Sequence, residues 1–140
     1  MFLGEFQHSL DAKGRIILPS RFRGRLESGL VLTRGLDGCL WVMSQGDWES
    51  FSLRLTALSV ADPRGRDTAR FFFSGASEDR PDKQGRISVP EPLRRHASLE
   101  RDVVVIGTGP RIEVWNPERW EVRRASVEEN LEDRIADLQL

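Results

Sequence analysis

A nine-residue segment occurs twice in this sequence, at residues 11–19 and again at residues 82–90. The first copy reads Asp-Ala-Lys-Gly-Arg-Ile-Ile-Leu-Pro and the second reads Asp-Lys-Gln-Gly-Arg-Ile-Ser-Val-Pro. Asp, Gly, Arg, Ile and Pro therefore recur at the same spacing, with an aliphatic residue before each proline. A repeat at an offset of about half the chain predicts two copies of one small unit that pack around a pseudo-twofold axis.

The similarity between the two halves continues beyond these segments. Residues 40–49 align with residues 112–121, and in both a strand-like apolar alternation leads to a polar break and then a tryptophan. Residues 61–65, which contain proline and glycine, are the predicted joint. We therefore expect a first repeat at residues 1–62 and a second repeat at residues 63–140.

Composition is typical of a soluble globular protein with one core. Of the 140 residues, 39% are hydrophobic and 31% are charged. The longest apolar run, at 103–106, is too short to cross a membrane, and residues 1–5 lack signal-peptide features, so we expect a cytoplasmic protein. One cysteine and two histidines provide no disulfide framework or metal-ligand cluster. No nucleophile lies beside a base, so we expect no enzymatic activity, metal or cofactor.

Charge is distributed unevenly along the chain, although the net charge is only −1. Residues 11–26 carry five Lys or Arg against one Asp, whereas residues 113–140 carry eight acids against four Arg. Phosphate binding depends on where the cations lie, so the basic segment favours a nucleic-acid partner despite the overall balance.

Apolar patterning predicts an α+β fold of short strands with flanking helices. Each doubled segment should form a turn, a returning strand and then a helix that begins at its proline, because proline lacks an N–H that would be unpaired there. Strands are predicted at 5–10, 15–18, 30–33, 39–43, near 71–73, up to 89, at 103–106 and at 112–115. Helices are predicted at 19–26, around 47–58 and at 90–96. Residues 118–140 are predicted to form an amphipathic helix, or one that is partly disordered in the monomer.

The two turns form the candidate functional site. Gly14 and Gly85 can adopt the positive φ that such turns require. Asp11 and Asp82 can accept hydrogen bonds from the backbone two residues further on. These four residues are therefore interpreted as the structural frame of the turns.

The residues beside each frame are the candidate DNA contacts. Arg15 and Arg86 directly follow the glycines, and a guanidinium can bind phosphate or the O6 and N7 atoms of guanine bidentately. Lys13 and Lys83 lie at non-equivalent positions in the two turns, which suits phosphate neutralisation rather than base reading. Gln84 occupies the position of Lys13 and can pair with adenine.

Other basic and aromatic residues have a structural interpretation beside the functional one. Arg21, Arg23 and Arg25 are typical of a solvated helix face, with Arg21 and Arg23 as candidate secondary phosphate contacts. Tryptophans can stack on bases, but core packing is the better interpretation here because each pair follows an alternating strand. The four tryptophans are Trp41, Trp48, Trp115 and Trp120.

The two Asp-x-x-Gly-Arg segments, each followed by Ile-x-aliphatic-Pro, resemble the hallmark of the bacterial MraZ family. The start of the chain at residues 1–6, Gly107 and residues 112–120 are also similar to that family, so the resemblance extends to about Trp120. It implies two fused swapped-hairpin units of the AbrB type that form a small β-barrel with flanking helices.

The same resemblance implies a function. Members of this family assemble into rings and regulate transcription by binding short direct repeats in the promoter of the division and cell-wall gene cluster, whose first gene is usually their own. DNA binding is attributed to Asp-x-x-x-Arg motifs, which here match Asp11 with Arg15 and Asp82 with Arg86. A nucleoid-associated, ring-shaped homo-oligomer that binds double-stranded DNA, most simply as a repressor, is therefore expected.

Two other functions are compatible with the sequence. Swapped-hairpin units also occur in antitoxins, and the Glu-rich C-terminus would suit an antitoxin-like module that neutralises a protein partner. A ring that scaffolds other proteins, with Arg15 and Arg86 dispensable, is the third interpretation.

Overall fold

The computed structural model describes all 140 residues and shows a mixed α+β fold. The strands are β1 Glu5–Ser9, β2 Arg15–Ile17, β3 Leu30–Arg34, β4 Leu40–Ser44, β5 Ser77–Asp79, β6 Arg86–Ser88, β7 Asp102–Gly107 and β8 Ile112–Trp115. The helices are α1 Ser20–Leu26, α2 Gln45–Thr56, α3 Pro63–Ser74, α4 Glu91–His96 and α5 Pro117–Ile135. None of these helices is both long and apolar enough to cross a membrane.

Six strands form one antiparallel sheet in the order β1-β7-β8-β4-β3-β5. The first strand of the chain pairs with a strand near its end, with Glu5 opposite Ile106, and β5 pairs with β3, with Leu30 opposite Asp79. Each half of the chain therefore supplies an edge strand to the other half. The strand order is unchanged when every strand is exchanged for its repeat counterpart and the sheet is read from the opposite edge.

The remaining two strands, β2 and β6, pair only with each other as a short antiparallel ribbon. Ile16 lies directly opposite Ile87 at the centre of this ribbon, and both side chains are 1% exposed. The six-stranded sheet stays open, with β1 and β5 at its edges. The closed barrel expected from the resemblance is therefore not confirmed.

Each face of the sheet packs on one hydrophobic cluster. The larger cluster lies between the sheet and the ribbon, and the smaller one lies between the sheet and helices α2 and α3. The larger one contains 19 buried residues from both halves of the chain, among them Ile16, Ile87, Phe22 and Leu93. The smaller one lies beneath α2 and α3 and includes Trp41 and stacked Phe72, with ring centroids 5.2 Å apart. Because both halves contribute to the larger cluster, neither half can complete its hydrophobic core without the other.

The tryptophans belong to the core, as the sequence predicts. Trp41 and Trp115 are buried, and both donate their Nε1–H to the carboxylate of Glu113, at 3.2 and 2.9 Å. Trp48 and Trp120 pack partly buried against the same cluster. This packing favours the core interpretation of all four over base stacking of the kind that single-strand binders use.

The prediction of a strand near 71–73 is wrong, because these residues lie in α3. The helix is started by Asp62, whose side chain accepts a hydrogen bond from the Arg64 N–H at 2.9 Å, and by Pro63 at the first helical position. Of the three consecutive phenylalanines only Phe72 is buried, as expected for one helical face rather than for a fully buried strand. The strand that pairs with β3 begins three residues after this helix ends.

The C-terminal helix is confirmed, although it spans Pro117–Ile135 rather than reaching residue 140. Asn116 caps its N-terminus by accepting from the Arg119 N–H at 3.1 Å. Trp120 donates to Glu5 of β1 at 3.1 Å, which attaches the first turns of α5 to the sheet edge. Further along, the apolar side chains of Val122 and Leu131 are largely exposed, so the acidic half of this helix projects from the core.

Candidate nucleic-acid interface

The first turn is organised by the carboxylate of Asp11. Its Oδ1 accepts the backbone N–H groups of Lys13 and Arg15, both at 2.9 Å, and its Oδ2 accepts the Nε–H of Arg15 at 2.8 Å. The backbone closes the turn through Gly14 N–H to the Asp11 carbonyl at 3.0 Å. One side chain thus shapes the turn and orients the arginine that follows it.

The second turn repeats this network atom for atom. Asp82 Oδ1 accepts the N–H groups of Gln84 and Arg86 at 2.9 Å each, and Oδ2 accepts the Arg86 Nε–H at 2.7 Å. Gly85 N–H donates to the Asp82 carbonyl at 2.9 Å. The predicted role of both aspartates as turn-structuring residues is consistent with these contacts.

The glycines are required by the backbone geometry of the turns. Gly14 has φ +75° and Gly85 has φ +79°, in the left-handed region that side chains disfavour. Both are buried, so a side chain here would also have no space.

The strand register brings the two motif arginines to one face of the ribbon. Arg15 lies opposite Ser88, and Arg86 is two residues before Ser88 on the same strand, so all three point to the same side. Diagonal neighbours of this kind are about 7–8 Å apart in an antiparallel pair. The opposite side carries Ile16 and Ile87 into the core, which leaves the arginines on the outer side.

Each arginine keeps part of its hydrogen-bonding capacity free. The Nε–H of Arg15 and of Arg86 is held by its aspartate, whereas neither pair of terminal nitrogens has a protein partner. The side chains are 26% and 28% exposed, so they are reachable but supported along their length. A guanidinium held in this way is ready to donate two parallel hydrogen bonds to a phosphate or a guanine edge.

The other predicted contact residues lie around this surface. Lys13, Lys83 and Gln84 are exposed in the turns, and their side chains have no protein partner. Arg21 is likewise exposed on α1. Arg25 is occupied elsewhere, since it binds Asp47 at 3.0 Å and covers the ring of Phe2.

Arg23 differs from its neighbours on the helix. It is partly buried, donates its Nε–H to the Leu18 carbonyl at 3.1 Å, and lies against Gly85 of the second turn. Its repeat counterpart, Arg94 on α4, lies against Gly14 of the first turn. Arg94 is not among the contact residues predicted from the sequence, although alignment of the doubled segments places it at the position of Arg23.

The aspartates are stabilised in their charged form. The Arg15 backbone N–H is the main reason that the pKa of Asp11 is lowered below its ordinary value of 3.8, and the Arg15 guanidinium and Lys13 N–H add to it. The pKa of Asp82 is lowered for the same reasons by Arg86 and Gln84. In contrast, burial raises the pKa of the Cys39 thiol well above its usual range, which leaves it protonated and unreactive.

These pKa shifts predict a specific acid sensitivity. A carboxyl whose folded pKa is depressed stabilises the fold above its unfolded pKa, and this stabilisation is lost as pH falls below about 4 through the folded pKa. Replacing Asp11 and Asp82 together with asparagine should therefore flatten the fall in thermal midpoint between about pH 5 and about pH 2. The measurement is calorimetry across that range, with Glu100→Gln as control because Glu100 is exposed and its carboxylate forms no hydrogen bond or ion pair with either turn. The prediction would be contradicted if the thermal midpoint fell equally steeply with decreasing pH in the wild type and in the double asparagine variant.

Comparisons with known proteins agree on one family. The profile of a family described as "MraZ protein, putative antitoxin-like" matches the chain twice, at residues 1–71 and 72–140. The chain is 46% identical to the transcriptional regulator MraZ of Halothermothrix orenii over 99% of this chain and 97% of that protein. It is 50% identical to the protein of the same name from Leifsonia xyli over 91% of this chain and 90% of that protein. The corresponding protein of Acetivibrio thermocellus is also 50% identical, over 86% of this chain and 85% of its own length.

Proposed function

The chain belongs to the MraZ family, and on that basis we propose that it is a transcriptional regulator that binds double-stranded DNA through its two Asp-x-x-x-Arg turns. The observation that carries the proposal is the matched pair of turn networks on one exposed face, each of which leaves the terminal nitrogens of an arginine unpaired. Its relatives are named as transcriptional regulators, which favours a binding function over an enzymatic one.

The shape of the surface supports contact with the major groove. That groove admits a two-stranded β-ribbon, and β2 with β6 is such a ribbon. An arginine separation of about 7–8 Å is close to two base-pair steps of about 3.4 Å each. In this arrangement Arg15 and Arg86 read guanines, Gln84 contacts an adenine, and Lys13, Lys83 and Arg21 neutralise phosphates.

Two arginine–guanine contacts and one glutamine–adenine contact per chain are a small footprint for specific binding. Each bidentate pair discriminates by about 1–3 kcal/mol, which is too little for a single chain to select a promoter. A ring-shaped homo-oligomer on short direct repeats would engage several ribbons at once, and avidity then supplies the missing affinity. We therefore propose that the target is a set of direct repeats upstream of the division and cell-wall gene cluster, including the gene for this chain, and that bound rings repress it.

Binding to the DNA upstream of the chain's own gene tests this proposal. We expect at least about 10³-fold tighter binding to that DNA than to the same fragment with its repeats scrambled. The affinity should fall steeply with salt, since the lysines and arginines displace counterions. Fluorescence anisotropy at several salt concentrations measures both quantities. Equal affinity for the native and scrambled fragments would rule out sequence-specific regulation through these repeats.

A further inference from the structure

The two helix arginines that lie against the turn glycines connect each repeat to the turn of the other. Arg94 belongs to α4 in the second half, yet its guanidinium lies over Gly14 in the first half. Arg23 belongs to α1 in the first half and lies over Gly85 in the second. Any side chain atom added at either glycine would overlap the guanidinium, so each arginine fills the space that its glycine leaves.

A single residue just after each ribbon strand links an arginine to the turn that it covers. Val89 donates its N–H to the Gly14 carbonyl at 2.9 Å, and its own carbonyl accepts from Nη1 of Arg94. In the second turn Leu18 donates to the Gly85 carbonyl at 2.9 Å, and its carbonyl accepts from Nε of Arg23 at 3.1 Å. This series of two hydrogen bonds, from the guanidinium to the residue that follows the strand and from that residue to the glycine, therefore occurs twice. Both times it connects one repeat to the other.

We propose that Arg94 and Arg23 are positioning residues for DNA binding, each of which holds the turn of the opposite repeat so that Arg15 and Arg86, respectively, are correctly oriented. The inference rests on the proposed function, because it assigns a role relative to the DNA-reading arginines. It deepens that function because each DNA-reading arginine then depends on a helix of the opposite repeat: helix α4 supports Arg15, and helix α1 supports Arg86.

Burial distinguishes this role from direct phosphate binding. Arg23 and Arg94 are partly buried against backbone, whereas Arg21 and Arg95 on the same helices are exposed. Arg23 and Arg94 also occupy equivalent positions in the two repeats, and each lies against the turn glycine of the other repeat. Arg21 has no such counterpart, because the equivalent position is Pro92. A phosphate contact requires only a reachable charge, and it would not require a carbonyl of the strand end as partner.

A double-mutant cycle on the DNA fragment used above tests the proposal. Arg94→Ala should weaken binding about tenfold, in the range expected for one hydrogen bond from a charged group. Combined with Arg15→Ala it should add less than about a twofold further loss, because the reader that it orients is already gone. Combined with Arg86→Ala the two losses should multiply. The cycle for Arg23 should show the reverse pattern, with coupling to Arg86 only.

The slope of affinity against salt provides a second readout. A lost phosphate contact reduces that slope by about 0.9, whereas a lost positioning contact leaves it unchanged. Arg95→Ala is the matched control, since Arg95 neighbours Arg94 and is exposed beside Glu91, with 3.8 Å between Nε and Oε1. It should leave affinity within about twofold of wild type.

Three results would overturn the inference. They are losses that multiply with both readers, coupling of Arg94 to Arg86 instead of Arg15, and a reduced salt slope. If Arg94→Ala does not fold, Arg94→Met keeps the helix and the packing of the stem without the donor, and the same cycle applies. Unchanged affinity in Arg15→Ala and Arg86→Ala alone would instead overturn the proposed function, so the two failures are distinguishable.

Discussion

Replacing Arg15 and Arg86 together with alanine is expected to abolish recognition of the promoter repeats. Each substitution removes one bidentate contact of about 1–3 kcal/mol, so the pair costs each chain about 2–6 kcal/mol, or roughly 30-fold to 10⁴-fold in the affinity of a single chain, and a ring loses this at every bound chain. The loss arises at the outer face of the ribbon, where both side chains are partly exposed and each forms an ion pair with the aspartate of its own turn. Anisotropy titration with the native DNA fragment measures it.

The control for this variant has to remove the same charge elsewhere. Arg70 and Arg95 are exposed on α3 and α4, and their alanine substitution lowers the net charge by the same amount. Binding should then change only through long-range electrostatics, which salt screens. Light scattering of both double variants checks that the assembly state is preserved. Wild-type affinity in the Arg15→Ala and Arg86→Ala double variant, with the assembly intact, would contradict the assignment.

Replacing Ile16 and Ile87 together with alanine is expected to remove most of the protein's stability. Both side chains are 1% exposed and face each other across the ribbon in the larger hydrophobic cluster. Truncation of a buried isoleucine to alanine costs about 2–5 kcal/mol, so two of them remove about 4–10 kcal/mol. Small domains have only about 5–15 kcal/mol of total stability. Urea denaturation followed by circular dichroism measures the loss.

The neighbouring isoleucine is a matched control in the same strand. Ile17 is 44% exposed on the outer face, so Ile17→Ala should change stability by less than about 1 kcal/mol. If the double variant of Ile16 and Ile87 unfolded with the wild-type free energy, packing of the ribbon against the core would not contribute to stability. A large loss in Ile17→Ala would show that the outer face is covered, for example by another copy of the chain.

Local chemistry explains what could be predicted from the sequence. The turn networks depend on residues at most four positions apart, so a doubled Asp-x-x-Gly-Arg segment was sufficient to predict the frame and the adjacent arginines. Alternation of apolar residues likewise predicts β4 and β8. Trp41 and Trp115 belong to these strands, so their burial can be predicted as well. The proposed DNA contacts themselves stay predictions, as does the boundary between the repeats at residues 62 and 63.

Long-range pairing explains what could not be predicted. Nothing near Glu5 indicates that β1 pairs with β7 rather than with a strand of its own half. The three phenylalanines at 71–73 are too short an apolar run to separate strand from helix, and the capping residue that decides the matter, Asp62, lies nine residues upstream of Phe71. Arg94 was missed because its contact with Gly14 joins opposite halves of the chain.

The exchange of edge strands has a consequence for the order in which the protein can fold during synthesis. When the ribosome has made only the first half, β1 has no partner, β3 has one unpaired edge, and Ile16 has no opposite residue. Pairing between residues as distant as Glu5 and Ile106 must then wait until the chain has emerged as far as β7, and such non-local pairing is slow. The nascent first half therefore carries exposed strand edges while the second half is being made, and edges of this kind can pair with those of neighbouring chains.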